Sequence, residues 1–168
     1  SAVCVTGLTV QDTATYFSAF GQVVILTLVQ LGGLGIMTLY AALPILFGRQ
    51  ISMAQRSTFY ELFEAESYQG LKTVLLSIVK YTLAIEFTGA FILTLRFYFD
   101  FGNWWKAAYF GWFHAIAAFC NAGFSLFSNN LNNYTGDVTV NLVIMGLIIT
   151  GGLGFIVLNE MKHKRSWR

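Results

Sequence analysis

Apolar residues run through this chain in blocks too long for strands and too unbroken for surface helices. Phe20 to Phe47 carries no charged residue, and its one Pro44 falls in the last turn, where a lost hydrogen bond costs least. Thr73 to Phe99 is a second block, with Lys80 near its start and Glu86 near its centre, and Val138 to Asn159 is a third. A helix needs about 20 mainly apolar residues to cross a membrane core of ~30 Å, so each block predicts a span. Between the second and third, Trp104 to Phe127 is also largely apolar, but Lys106 to Ala118 makes a helix of only about 20 Å. Asn121, Gly123, Ser125 and Ser128 then interrupt it. The pattern predicts a segment that enters the membrane and returns; a short surface helix followed by a loop is the alternative.

The placement of charge supports the re-entrant reading. Arg49, Arg56 and Lys72 follow the first block and Lys162, Lys164, Arg165 and Arg168 follow the third, with only Arg96 and Lys106 expected on the opposite side. Positive loops favour the cytoplasm. Both basic regions, 48–72 and 160–168, fall on that side only if 104–127 does not cross. Ser52 to Ser67 has the spacing of an amphipathic interfacial helix, with Phe59, Tyr60 and Phe63 on one face.

Composition agrees. The 168 residues are 56% hydrophobic and 11% charged, against roughly 25% charged in a soluble domain. Net charge is +2 without a basic stripe, which argues against nucleic acid as a partner. Cys4 and Cys120 have no metal-ligand spacing and are expected to be buried thiols, with a mutual disulfide as the alternative. The chain opens without Met or a signal architecture and is expected to be an excerpt of a longer protein.

An internal repeat reorganises these blocks. Ser1-Ala2-Val3-Cys4-Val5-Thr6-Gly7-Leu8 aligns with Ala117-Ala118-Phe119-Cys120-Asn121-Ala122-Gly123-Phe124 at a constant offset of 116. Gly32-Gly33-Leu34-Gly35 aligns with Gly151-Gly152-Leu153-Gly154 at 119, and Tyr16 corresponds to Tyr134. The predicted unit is helix, short re-entrant helix, glycine-bearing loop, helix. Residues 1–47 hold the end of one unit, 48–72 a connector, 73–159 a complete second unit, and 160–168 a basic tail. The fold class is therefore an all-α membrane protein of helix–re-entrant pore loop–helix repeats.

Such a unit suits a bare cation. Its lost water shell can be replaced by rings of backbone carbonyls, and glycine reaches the backbone angles that aim them. The C-terminal end of the short helix adds about half a negative charge. The candidate ion-binding groups are the carbonyls of Val5, Thr6, Gly7 and Leu8, with those of Asn121, Ala122, Gly123 and Phe124. Two loops make half a ring, so the remainder must come from elsewhere.

At SAVCVTGL, LVQLGGLGIMT, FHAIAAFCNAGFSLF and ITGGLGF the sequence resembles the Trk/Ktr/HKT superfamily of potassium transporters, and most of all the membrane subunit of bacterial Ktr systems. The resemblance implies four repeats around a pseudo-fourfold pore, one filter glycine per repeat at Gly7 and Gly123, and potassium uptake at the plasma membrane. It further implies a homodimer, a cytosolic ring of nucleotide-binding regulatory subunits and often sodium dependence. Some sodium-favouring plant relatives carry Ser at the first glycine, so Gly7 points to potassium. A sodium- and potassium-conducting relative of the same fold, or a non-conducting scaffold, is the alternative. Neither a cofactor nor a metal other than potassium, with sodium as a coupling ion, is expected.

The remaining polar residues have plainer expectations. Glu86 is expected to hydrogen-bond to a neighbouring helix rather than bind a coupling cation, His114 to be a packed polar residue, and Asp137 to be an N-cap. Asp12 is either a turn residue or an attractor of cations at the outer mouth. No convergent set of acid, base and nucleophile appears, so the chain is not expected to be an enzyme.

Overall fold

The computed structural model describes residues 1–35 and 68–153, with the side chains of 68–75 left aside. The first block beyond residue 35, the interfacial helix at 52–67 and the tail from 154 lie outside the described residues. The chain divides into two compact units, 1–33 with 83–152 and 34–82 with 153–168. Every described helix belongs to the first unit, save the opening turns of one that begins in the second.

All regular structure among the described residues is helical: α1 (Ala19–Gly33), α2 (Tyr68–Phe101), α3 (Trp104–Phe119), a 3-10 turn (Asn132–Tyr134) and α4 (Val138–Gly152). The boundaries follow from local chemistry. Gly102, at φ +61, ends α2, and the Asn103 side chain accepts the Lys106 amide at 3.2 Å to start α3. Asp137 starts α4 in the same manner, its carboxylate accepting the Val140 amide at 3.1 Å. It is an N-cap, as its position before an apolar run suggests.

Within α2, Leu76–Phe101 is long and apolar enough to cross a membrane, the single such helix among the described residues. It carries apolar residues on both its buried and its exposed faces. Glu86, Ala90, Leu93, Thr94 and Phe97 are buried, whereas Leu83, Phe87, Phe91, Leu95 and Tyr98 form an exposed stripe. A water-facing surface rarely carries so continuous an apolar face, which lipid accommodates.

α3 has 16 residues, or about 24 Å, and cannot span the bilayer by itself. It is the centre of the unit: Ala107, Phe113, His114, Ala115, Ala117 and Phe119 are buried against α1, α2 and α4. Arg96 and Lys106, expected on the side opposite the basic regions, both lie in helices, as the apolar blocks that contain them predict. Arg96 sits in α2 and pairs with Asp100 at 2.8 Å and with Asp137, while Lys106 lies over the Phe101 ring at 4.7 Å in the first turn of α3. With Tyr134 donating to Asp100 at 2.9 Å, these residues form a polar layer that keeps α2 helical past the apolar core.

Candidate functional site: a duplicated helix end

The two copies of the Cys-x-x-Gly segment fold alike, atom by atom in their hydrogen bonds. In the first, the Val5 amide donates to Ala2 and the Thr6 amide to Ser1, both at 3.2 Å. In the second, the Asn121 amide donates to Ala118 at 3.0 Å and the Ala122 amide to Ala117 at 2.8 Å. Each is a Schellman motif, the paired 5→2 and 6→1 bonds that finish a helix and require a left-handed residue after the cap. Those residues are Val5 (φ +53) and Asn121 (φ +57). Two residues later Gly7 (φ +69) and Gly123 (φ +71) are left-handed as well. The alternation of hand prevents either segment from continuing as helix, and α3 ends at Phe119.

The left-handed valine stands out, because a β-branched residue is strained there; such strain costs about 1–3 kcal/mol and concentrates at functional sites. Asparagine tolerates the same angles.

The two loops also meet. A Cβ on Gly7 would stand 2.5 Å from the Ala122 carbonyl oxygen and 3.1 Å from Gly123 Cα, and one on Gly123 would stand 3.4 Å from Gly7 Cα. The candidate residues Val5, Thr6, Gly7 and Leu8 thus belong to an irregular segment whose glycine abuts the Ala122–Gly123 peptide of the other. Of the second set, Ala122 and Phe124 are buried while Asn121 and Gly123 are exposed.

His114 does more than pack. Its Nδ1 lies 2.7 Å from the Phe110 carbonyl and therefore carries the proton, which leaves Nε2 to accept from the Ser125 hydroxyl at 3.0 Å and the Leu126 amide at 3.4 Å. The neutral ring latches α3 to the outgoing limb of the second loop. A lone His in an apolar helix gave no signal for this; the Ser eleven positions on was the available clue. A pocket of about 270 Å³ opens beside the latch, between His114, Asn121 and Ser125 on one side and Ile144 and Ile148 of α4 on the other.

Glu86 is 1% exposed and accepts from Gln30 Nε2 of α1 at 2.9 Å, whereas Gln30 Oε1 is buried with no partner. Asp12 has turn partners, the Ala14 amide at 3.0 Å and the Thr15 hydroxyl at 2.9 Å. Backbone donation from Ala14, with the Ser128 and Thr15 hydroxyls, holds its carboxyl below the usual range. Both cysteines are free thiols. Cys120 is half-buried, but Cys4 is exposed, against the expectation of burial, because the surface that receives Cys120 has no counterpart at Cys4 among the described residues.

The family model of TrkH, a cation transport protein, matches residues 1–167. The chain belongs to this family. Among similar proteins, the Ktr system potassium uptake protein B of Bacillus subtilis is 43% identical over 168 residues, all of this chain and 38% of that protein. The potassium/sodium uptake protein NtpJ of Enterococcus hirae is 40% identical over 165 residues, 96% of this chain and 36% of the relative. A second Ktr system potassium uptake protein B, from Vibrio alginolyticus, is 38% identical over 168 residues. This TrkH-family chain therefore spans little more than a third of the relatives' length. The relatives are named as transporters, in keeping with the lack of a catalytic constellation in the sequence.

Proposed function

We propose that this chain is part of a membrane protein that takes up potassium, and that its two left-handed loops are two of four carbonyl-bearing limbs around one pore. The single observation that supports this is the duplicated helix end: the same two hydrogen bonds and the same alternation of hand occur at positions 116 apart. Packing does not require that conformation twice, whereas a ring built from equivalent limbs does. At the second loop α3 points the negative end of its dipole at the loop, and Gly7 and Gly123 let consecutive carbonyls of Val5 to Leu8 and Asn121 to Phe124 turn to one axis.

In this reading a potassium ion exchanges water for main-chain oxygen, and the inside-negative potential drives uptake at about 2.3 kcal/mol per charge per 100 mV. Residues 1–47 close one repeat and 73–159 form the next, joined through the connector 48–72 and followed by the tail 160–168, both cytoplasmic. The missing limbs come from further repeats of the same polypeptide. A homodimer and a ring of cytosolic nucleotide-binding subunits complete the assembly in a multi-pass plasma-membrane complex. Sodium enters as a coupling ion or a second permeant species. The latter reading draws on the relative named for potassium and sodium uptake.

The test is rescue of a potassium-uptake-deficient cell by the full-length protein, with Gly7→Ser and Gly123→Ser alongside. Wild type should restore growth at low potassium, and each substitution should abolish transport or admit sodium. Unaltered potassium selectivity in both variants would remove the loops from the filter.

A further inference from the structure

The glycine pairs that follow each loop make contacts as regular as the loops themselves. A Cβ on Gly32 would collide with the Val3 carbonyl oxygen, and one on Gly151 would collide with the Phe119 carbonyl oxygen. Val3 and Phe119 are equivalent, each the residue just before its cap; Phe119 ends α3, and Val3 lies in a hydrogen-bonded turn. This carbonyl is one that the Schellman bonds leave without a partner. The first glycine of each pair thus lays its own helix directly on the end of its own loop, at a distance only a Cα hydrogen permits.

The second glycine does something different. On Gly33 a Cβ would collide with Cys120 Sγ and stand 2.7 Å from Cys120 Cβ, so Gly33 receives the cap of the following unit's loop. Gly152, its equivalent, has only Asn121 Nδ2, at 3.8 Å, among the described residues. Cys4, the equivalent of Cys120, is exposed. Among the described residues, no glycine receives Cys4 and no capping residue rests on Gly152.

We propose that each glycine pair is a coupler, its first glycine positioning the loop of its own unit and its second receiving the capping residue of the next unit's loop. Gly152 is accordingly the receiving position for a further helix–loop unit of the same kind. This deepens the proposed pore reading and rests on it. It assigns to Gly32, Gly33, Gly151 and Gly152, which touch no ion, control over where the carbonyl limbs stand relative to one another. Sub-ångström displacement of one limb changes the size of the ring, so selectivity should answer to these positions.

The experiment uses the full-length protein, with Gly33→Ala, Gly152→Ala and Gly146→Ala, the last having no atom within 4 Å of an added Cβ. Inserted protein, potassium uptake and sodium/potassium discrimination are read for each. Gly33→Ala and Gly152→Ala should each lower discrimination by roughly tenfold, within the usual range of coupling between separate positions, and Gly146→Ala should match wild type. Adding Cys120→Gly removes the two atoms that stand closest to a Cβ on residue 33 and leaves Cys120 Cα at 3.3 Å. It should restore Gly33→Ala, in transport or in inserted protein, and leave Gly152→Ala unimproved. A Gly152→Ala variant that behaves as Gly146→Ala would overturn the proposal, as would restoration of both variants by Cys120→Gly. Failure of the pore reading is separate: it shows as intact selectivity in Gly7→Ser and Gly123→Ser, whatever the coupler variants do.

Discussion

The first and second loops share a backbone but not a setting. The second is enclosed: Phe124 is 7% exposed within a cluster containing Val29, Phe113 and Leu126, His114 latches its outgoing limb, and Cys120 rests on Gly33. The first has fewer neighbours among the described residues, with Leu8 80% exposed and the Ser1 and Thr6 hydroxyls 3.1 Å apart at its surface. The same left-handed conformation is written with a strained valine, half-buried against that cluster, in the first loop and with a tolerant, exposed asparagine in the second. Conformation here is set by the helix-ending hydrogen bonds, which need no side chain; the side chains decide what lies behind.

The largest effect that would separate the loops comes from alanine at their glycines. Both positions have positive φ, so alanine at either costs about 1–2 kcal/mol in backbone alone. At Gly7 the methyl group also meets the Ala122 carbonyl at 2.5 Å, whereas at Gly123 the nearest atom is at 3.4 Å. Gly7→Ala should lower the yield of folded protein and its unfolding temperature more than Gly123→Ala, although both lose selectivity. Equal losses of stability would mean that the loops do not abut.

Next in size is the support behind the second loop. Gln30 lies one turn before Gly33, and removing its partner by Glu86→Leu leaves the amide with no described side-chain partner in a buried site, a loss of about 1–3 kcal/mol. Glu86→Gln keeps an acceptor for Gln30 Nε2 and should stay within roughly 1 kcal/mol of wild type. Thermal unfolding of the purified full-length protein compares them, and a leucine variant as stable as the glutamine one would show that the pair contributes nothing to folding.

Much of this contrast was legible in advance, and the rest had physical reasons to be hidden. The repeat, the helical class and the stop after Phe119 follow from spacing and composition, because apolar length and glycine position act locally. Asn121 was legible as an interruption of the apolar run, though not as a left-handed residue. Val5 was legible as neither, since valine avoids the left-handed region and only its alignment with Asn121 marks it. The latch from His114 and the seats at Gly33 and Gly151 were beyond local reading, for they depend on which elements touch. The pairing of Arg96 with Asp137 was hidden for the same reason, since the two lie 41 positions apart and meet only through packing.

Exchange of the two left-handed residues gives a smaller effect with opposite signs. Val5→Asn relieves strain and should stabilise by about 1 kcal/mol, while Asn121→Val imposes it and should destabilise by about as much. Asn121→Val also removes the weak donation of Nδ2 to the Phe119 and Ile148 carbonyls, both at 3.5 Å. Because carbonyls and not side chains face the ion in the proposed pore, Val5→Asn should leave selectivity unchanged, which ion competition assays would register.

The mildest separation is by acid. Asp12 follows the first loop and Asp137 the second, and each carboxyl is held below its ordinary value of 3.8, first by a backbone amide, that of Ala14 for Asp12 and of Val140 for Asp137. A depressed carboxyl contributes stability that is whole above its unfolded pKa and is lost as pH falls through the folded one. Both contributions should therefore persist at neutral pH and fade only below about pH 4. The settings differ in one respect: Arg96 adds charge to Asp137, while hydroxyl groups serve Asp12. Asn caps a helix nearly as well as Asp, so Asp137→Asn keeps the cap and loses the ion pair. At pH 7 its stability should become less sensitive to added salt than that of wild type, whereas Asp12→Asn should leave the salt response unchanged. Identical salt responses in the two variants would place Asp137 on the same footing as Asp12, a turn carboxylate whose neighbour across the helix is incidental.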